Sequence, residues 1–284
     1  MKLICDKATL LNGLQIVSKA IPSKTTMSIL EYILIDATGD QVRLIGNDME
    51  LGIETTIDGE IVERGFVALN ARIFFDIVRK FDENTDVTIT LGENYKVTIT
   101  AGKAKFNIIG RAGEEFSYLP DIARIDGIEI SQYALKNIIS QTIFAIASGN
   151  ETNRMMSGEL LEIREDSLKV VALDGHRISI RRIALSGTYA QKKVVVPGKT
   201  LSELSKILSD STESKVDIYF TDKHVMFAFD STIVVSRLIE GEYFNIEQML
   251  SSDYETKMTI SRKEVLESLD RATLLVKEVS LKLK

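Results

Sequence analysis

The chain has 284 residues, 44% of them hydrophobic, and a formal net charge of −6. This length can bury the cores of two domains and part of a third. Its single cysteine, Cys5, excludes an internal disulfide framework and fits a reducing compartment. The N-terminal residues include no apolar segment long enough for a signal peptide or a membrane span, so we expect a soluble, cytosolic protein.

Five segments have the spacing of apolar residues that is typical of amphipathic helices. In chain order they cover residues 5–20, 70–80, 131–147, 197–208 and 262–277. The first, third and fifth share one apolar pattern, at Leu10, Leu14 and Val17, at Leu135, Ile139 and Thr142, and at Val265, Leu269 and Ala272. The second and fourth share another, at Phe74, Ile77 and Phe81 and at Leu201, Leu204 and Leu208.

Between the helices, β-branched residues and the alternation of apolar with polar residues predict antiparallel strands. Short turn sequences such as Gly39-Asp40 and Asp174-Gly175 join these strands in pairs. The predicted pairs are residues 29–38 with 41–48, 87–91 with 97–100, 168–173 with 178–183, and 216–220 with 224–229. A further strand is predicted at residues 257–260.

The chain repeats itself with a period of about 125 to 130 residues. For example, Gly-Glu-Glu-Phe at 113–116 returns as Gly-Glu-Tyr-Phe at 241–244. A period of this length matches a whole small domain. We therefore expect an α+β fold of tandem repeated domains, each with two helices packed on antiparallel sheet. The expected domains are residues 1–121, residues 122–250, and the start of an incomplete third domain at residues 251–284.

The net charge of −6 argues against a nucleic-acid partner, but the charge is unevenly distributed. The five helical segments together carry +6, so the rest of the chain carries −12. If these helices shared one face of an assembly, that face would attract phosphates. The alternative, that exposed helices carry Lys and Arg for solubility, is equally compatible with the composition.

The sequence contains few patterns that predict catalysis or metal binding. The two histidines, His176 and His224, and one cysteine cannot form a zinc site with the usual spacing. The sequence contains no glycine-rich phosphate loop, nucleophile elbow or zinc-protease motif. Adjacent Asp174 and His176 suggest acid-base chemistry, but Asp-Gly is first of all a turn sequence. Binding of a magnesium ion by carboxylates is a further alternative, although no spacing in the sequence singles out a pair of acidic residues.

Several motifs in order along the chain resemble those of one family, the beta subunit of bacterial DNA polymerase III, or sliding clamp. They are Ala-Arg-Ile-Phe-Phe-Asp-Ile at 71–77, Asp-Gly-His-Arg at 174–177, Val-Val-Val-Pro-Gly-Lys at 194–199, Leu-Ile-Glu-Gly at 238–241, and Arg-Ala at 271–272. The resemblance covers almost the entire chain, and the internal repeat agrees with it.

The resemblance implies a subunit of three similar domains and, when the third domain is complete, a closed ring in which two subunits join head to tail. Twelve helices would line a hole that holds duplex DNA through its backbone, without base-specific contacts. Such a protein has no catalytic activity and needs no cofactor. It tethers the polymerase to DNA at high effective concentration.

The resemblance also implies two sets of site residues. Positions that match DNA-contacting residues of the family are Lys24, Arg72, Arg79, Asn150, Arg154 and Lys199. Positions that match a hydrophobic pocket for short peptides of the polymerase catalytic subunit and the clamp loader are Met156, Leu173, Gly175, His176, Ile178, Phe244 and Met249. Phe244 stands where the family usually has proline, and its larger ring would reshape that pocket.

Two alternatives belong to other functional classes. The chain could be a repeat-built scaffold for protein interactions that does not encircle DNA. Charge reversal at Lys24, Arg72 and Lys199 distinguishes a scaffold from a clamp. A scaffold would keep its affinity for partner peptides and lose no other activity. A hydrolase that uses Asp174 and His176 would lose its activity with His176→Ala.

Overall fold

The computed structural model describes residues 1–147, 153–250 and 255–274. Residues 1–120 form nine antiparallel strands and two α-helices, in the order strand, helix, five strands, helix, three strands. These elements are β1 (Lys2–Asp6), α1 (Lys7–Val17), β2 (Tyr32–Ala37), β3 (Val42–Asn47), β4 (Leu51–Ile57), β5 (Glu60–Glu63), β6 (Gly65–Asn70), α2 (Ala71–Arg79), β7 (Asp86–Leu91), β8 (Lys96–Ala101) and β9 (Ala104–Ile109).

The described residues after 120 repeat the order strand, helix, strands, helix, strands. These elements are β10 (Ile128–Ser131), α3 (Gln132–Ser140), β11 (Gly158–Leu173), β12 (Ile178–Pro197), α4 (Gly198–Ile207), β13 (Lys215–Phe220), β14 (His224–Phe229), β15 (Thr232–Arg237), α5 (Ile246–Met249) and α6 (Arg262–Thr273). A helix forms in each of the five predicted segments, and all four predicted strand pairs are confirmed.

The strands form three antiparallel sheets. The largest has eight strands in the order β10-β13-β14-β15-β4-β3-β2-β6, so strands from both halves of the chain share it. The halves meet where β15 pairs with β4, with Thr232 opposite Thr55. A second sheet has the order β5-β1-β7-β8-β9, and β11 and β12 form a long two-stranded ribbon. One sheet therefore holds the two halves together.

Helix α1 packs its apolar face on the eight-stranded sheet. The Asp6 carboxylate accepts a hydrogen bond from the Thr9 N–H at 2.9 Å, and this N-cap fixes where the helix begins. Leu10 and Leu14 are buried below. Gly13 allows the close approach to the sheet, because a Cβ there would lie 2.7 Å from the Ile57 side chain.

Helices α3 and α4 form the corresponding pair in the second half. The Ser131 hydroxyl caps α3 by accepting a hydrogen bond from the Ala134 N–H at 3.2 Å. Leu135 of α3 and Leu201 and Leu204 of α4 are buried in the same apolar cluster as the core residues of α1 and α2. Two helices thus pack on antiparallel sheet in each half, as the sequence predicts.

Two details of the prediction are wrong. Helix α3 ends at Ser140 and not at residue 147, because the Thr142 hydroxyl donates to the Ile138 carbonyl at 2.9 Å and closes the last turn. Residues 257–260 form no strand, since no described strand pairs with them, and Met258 and Ile260 are exposed.

The chain divides into two compact units, Met1–Tyr243 and Phe244–Lys284. In the second unit, Ser261 caps α6, and Leu266 and Leu269 of that helix are 57% and 48% exposed. The domain limits at residues 121 and 250 stay predictions. Among the described residues, no helix has the length and apolar content needed to cross a membrane.

Candidate nucleic-acid interface and peptide pocket

Two of the predicted DNA-contacting residues, Arg72 and Arg79, line one cleft of about 1080 Å³. Lys19, which follows α1, and Lys206 of α4 line the same cleft. Basic residues from both halves of the chain therefore converge on one surface. We call this surface, together with the adjoining groove described below, the basic surface.

The local structure of α2 explains why its arginines face outward. The Asn70 side chain accepts a hydrogen bond from the Ile73 N–H at 3.1 Å, which starts the helix at Ala71. Phe74 and Val78 then occupy the buried face, four residues apart. Arg72 and Arg79 lie on the other side and are exposed.

Lys24 and Lys199 line a smaller groove of about 390 Å³. Ser18, Lys19 and neighbouring residues line both this groove and the larger cleft, so the two are continuous. Lys199 is the second residue of α4, and its ammonium group pairs with the Asp48 carboxylate. Lys24 is exposed and has no ion-pair partner among the described residues.

The two remaining predicted DNA contacts are Arg154 and Asn150. The Arg154 side chain is 75% exposed, and its guanidinium lies 3.1 Å from a Glu50 carboxylate oxygen. Asn150 lies outside the described residues. The structure thus brings Lys24, Arg72, Arg79 and Lys199 to one continuous surface, and Glu50 pairs with Arg154.

Lys19 and Lys206 were not predicted as site residues. Both contribute to the positive charge of the helical segments, so the charge distribution carried the signal. Several basic side chains in the cleft are partly neutralised: Lys206 pairs with Glu203 at 2.7 Å and Arg79 with Asp76 at 3.0 Å. The basic surface is therefore a mixture of paired and unpaired cations.

Four of the seven predicted peptide-pocket residues meet at the turn between β11 and β12. Leu173 ends β11 and pairs with Ile178, the first residue of β12. Leu173 is buried and Ile178 is half-buried, while His176 is exposed at the tip. Gly175 has φ +82°, a left-handed conformation that glycine adopts without strain. At this turn the half-buried Ile178 therefore lies beside an exposed polar tip.

The Asp174 carboxylate stabilises that turn. Its Oδ1 accepts hydrogen bonds from the His176 N–H at 3.0 Å and the Arg177 N–H at 3.2 Å, and its Oδ2 accepts one from the Arg177 guanidinium at 2.9 Å. The backbone hydrogen bond from His176 and the Arg177 charge lower the pKa of Asp174. Asp174 therefore acts as a turn residue rather than as a catalytic base.

The other three pocket residues lie elsewhere in the chain. Met156 precedes β11 and is half-buried. Phe244 and Met249 belong to the second compact unit, in which Phe244 is half-buried and Met249 is 48% exposed. Within the described residues, no group of three or more His, Cys, Asp or Glu side chains is arranged to hold a metal ion.

Comparison with known proteins identifies the family. Residues 1–120 match the sequence model of the DNA polymerase III beta subunit N-terminal domain, and residues 129–245 match that of its central domain. The chain is 38% identical over 276 residues to the beta sliding clamp of Staphylococcus epidermidis, which covers 94% of this chain and 72% of that protein. The chain belongs to the beta subunit family of bacterial DNA polymerase III.

Solved structures agree with this assignment. A Bacillus subtilis DNA polymerase sliding clamp superposes with a TM-score of 0.94 at 35% identity, over 99% of this chain and 75% of that one. A protein from Eubacterium rectale described as a DNA polymerase III beta subunit gives a TM-score of 0.95 at 58% identity, over 99% and 76%. The predicted resemblance and the α+β clamp fold are confirmed. Sliding clamps are non-catalytic processivity factors, so neither alternative function is favoured.

One buried acidic residue of this clamp-family member was not predicted from the sequence. Glu159, in β11, is fully buried, and neither of its carboxylate oxygens has a hydrogen-bond partner among the described residues. Burial raises its pKa to about 8. Tyr243 lies close enough for the Glu159 charge to add to the effect of burial in raising the Tyr243 pKa. The sequence signal was a single glutamate at the start of an apolar strand.

Proposed function

We propose that this chain works as a DNA sliding clamp, encircling duplex DNA and tethering the replicative polymerase to it. The observation that carries the proposal is the basic surface, where Lys19, Arg72 and Arg79 from the first half meet Lys199 and Lys206 from the second. The protein has a net charge of −6, so these lysines and arginines form a local cluster of positive charge in an otherwise acidic chain.

The proposed DNA contacts are to phosphates. Lys and Arg side chains at helix surfaces neutralise phosphates without reporting the base sequence, so binding is independent of sequence and falls with salt. Lys24 and Arg72 have no ion-pair partner among the described residues, so we expect them to contribute most. Arg79, Arg154 and Lys199 must first exchange a carboxylate for a phosphate, and Asn150 is proposed from the resemblance alone.

We also propose that a second copy of the chain joins this one through β9. Strand β9 is the edge of the five-stranded sheet, and its outer side has no strand partner among the described residues. Phe106 and Ile109 on this strand are 40% and 67% exposed. An open edge with exposed apolar side chains is a template for pairing with another chain, and head-to-tail pairing can close a ring.

The turn at Leu173–Ile178 is proposed to receive short peptides of the polymerase catalytic subunit and the clamp loader. Buried Leu173 and half-buried Ile178 would supply apolar contacts, and exposed His176 a polar one. Met156 is proposed as a further wall, and Phe244 and Met249 are proposed for peptide binding from the resemblance alone. Flexible methionines suit a site that accepts several partners.

Retention on closed DNA tests the clamp function. The chain is loaded onto nicked circular DNA by a bacterial clamp loader, separated from free protein, and measured before and after one cut by a restriction enzyme. A topological tether stays on the circle and leaves the linear product. Equal retention on both forms would contradict encirclement and favour simple binding or a scaffold.

Charge reversal tests the DNA-facing surface. Lys24→Glu with Arg72→Glu should weaken affinity for duplex DNA by at least about tenfold at low salt and leave peptide affinity unchanged. Arg64→Glu with Lys103→Glu is a control matched in charge, because both side chains are exposed and neither lines the basic surface. An equal loss in the control would mean that only net charge matters.

A further inference from the structure

The turn between β3 and β4 carries two carboxylates, and each pairs with a cation proposed to contact DNA. Asp48 pairs with Lys199, and Glu50 pairs with Arg154 at 3.1 Å. These partners are 151 and 104 residues away in the sequence, in the second half of the chain. One short acidic turn therefore neutralises two widely separated cations.

Asp48 is built to hold Lys199 in a fixed place. Its side chain is only 7% exposed. Its Oδ1 accepts hydrogen bonds from the Glu50 N–H at 3.0 Å and the Leu51 N–H at 2.6 Å, which leaves Oδ2 for the Lys199 ammonium. A buried carboxylate without a counter-charge is costly, so this arrangement holds the ammonium group of Lys199 at Asp48, although the Lys199 side chain is still 52% exposed.

The turn itself is rigidly supported. The Asn47 side chain accepts a hydrogen bond from the Met49 N–H at 2.7 Å and donates one to the Ser117 carbonyl at 3.0 Å. The Glu50 carbonyl accepts a hydrogen bond from the Arg237 N–H at 2.9 Å. These hydrogen bonds thus hold the turn and its carboxylates in place before DNA binds.

Carboxylates and phosphates compete for the same cationic donors, because both are anionic oxygen acceptors. We propose that the turn at Asp48–Glu50 is an internal phosphate mimic that occupies Lys199 and Arg154 while DNA is absent. DNA phosphates must displace it, which weakens binding to DNA. Lys19 and Lys24 are then the cations of the smaller groove without an ion-pair partner among the described residues. The inference rests on the proposed DNA-binding function and adds two positioning residues to it.

The test is binding of a fluorescent duplex oligonucleotide to the full chain, followed by anisotropy between about 50 and 200 mM salt. Asp48→Asn keeps the Oδ1 acceptor of the turn and removes the charge that holds Lys199. It should raise DNA affinity about three- to tenfold. Glu50→Gln, at a side chain that is 59% exposed, should raise it about twofold. Each freed cation should steepen the slope of log affinity against log salt concentration by about 0.9. A purely structural effect of the substitution would not change this slope.

Asp40→Asn is the matched control, because it removes one negative charge from the exposed pair with Arg64. In a Lys199→Ala background, Asp48→Asn should no longer change affinity. If Lys199→Ala weakens binding but Asp48→Asn and Glu50→Gln behave like Asp40→Asn, the mimic is wrong and the DNA surface stands. If neither Lys199→Ala nor Lys24→Glu weakens binding, the DNA surface itself is misplaced and the inference falls with it. Thermal melting of each variant verifies folding, and Glu50→Gln keeps the test decisive if Asp48→Asn unfolds.

Discussion

The hydroxyls of Thr55 and Thr232 form a buried hydrogen bond of 2.8 Å between strands from the two halves of the chain. Thr55 is in β4 and Thr232 in β15, and they lie directly opposite each other in the shared eight-stranded sheet. Both residues are buried, at 1% and 4% exposure. Because each hydroxyl is the other's side-chain partner, this pair couples the two halves at one end of the pairing between β15 and β4.

Replacing one threonine should cost more than replacing both. Thr55→Val leaves the Thr232 hydroxyl buried without that side-chain partner, and we expect a loss of about 1–2 kcal/mol in the free energy of unfolding. Thr55→Val with Thr232→Val removes both polar groups and should lose less than the sum of the single variants. Urea denaturation of the four proteins measures this coupling, and strict additivity would contradict it.

The buried Glu159 should make the protein less stable as pH rises. Its carboxyl keeps its proton in the folded state up to a pKa of about 8, whereas in the unfolded state it ionises near its ordinary value of 4.5. Between these values the folded state binds more protons, so the free energy of unfolding falls with increasing pH, by an amount on the order of a few kcal/mol. Glu159→Gln should flatten this part of the profile.

Denaturation midpoints of wild type, Glu159→Gln and the control Glu93→Gln across this range measure the effect. Glu93 is exposed, so its variant should follow the wild-type profile. A wild-type profile parallel to that of Glu159→Gln would show that Glu159 ionises normally in the folded protein.

Glu162 should have the opposite pH dependence. Burial by itself would raise its pKa, but Lys169, Arg164 and Lys193 surround the carboxylate and hold the pKa at about 2. The stabilisation is present above the unfolded value of 4.5 and is lost as pH falls toward 2. Glu162→Gln should therefore be less stable than wild type at neutral pH, by on the order of 2 kcal/mol, and should approach it in acid. A difference that stays constant down to about pH 2 would rule out this ion cluster as its cause.

The elements that sequence reasoning predicted correctly are those with local signals. Apolar spacing placed α1 and α2, and Asp174-Gly175 placed the turn whose carboxylate accepts two backbone hydrogen bonds. The strand predicted at residues 257–260 failed because a strand requires a partner, and none is present among the described residues.

Non-local relationships were not predictable in the same way. The pairing of Thr55 with Thr232 joins residues 177 apart, and no local pattern sets that register. Lys199 was proposed for DNA contact from its position in a motif, but its pairing with Asp48 depends on how the two halves pack. Likewise, the unpaired burial of Glu159 follows from tertiary structure alone.

The proposed peptide pocket predicts that two methionines contribute to partner binding. Met156→Ala with Met249→Ala should weaken affinity for a clamp-binding peptide, because each apolar side chain would contribute roughly 2 kcal/mol if it is fully desolvated in the complex. Fluorescence polarisation with a labelled peptide measures the change. Met27→Ala is a matched control, since Met27 is 49% exposed in the free protein and Met249 is 48% exposed. Unchanged affinity in the double variant would mean that the pocket lies elsewhere.

The proposed contact between copies through β9 predicts that a charge on this edge separates them. Ile109→Lys replaces a side chain that is 67% exposed, so the fold of the single chain should tolerate it. In a pair of chains the same lysine would face an apolar contact and would have to be desolvated, which raises the dissociation constant.

Val62→Lys is the control on β5, the opposite edge of the same sheet, where Val62 is 45% exposed. Sedimentation equilibrium of wild type and both variants over a range of protein concentrations should show weakened dimerisation for Ile109→Lys only. Equal weakening by Val62→Lys would assign the contact to both edges, and no weakening by Ile109→Lys would exclude β9.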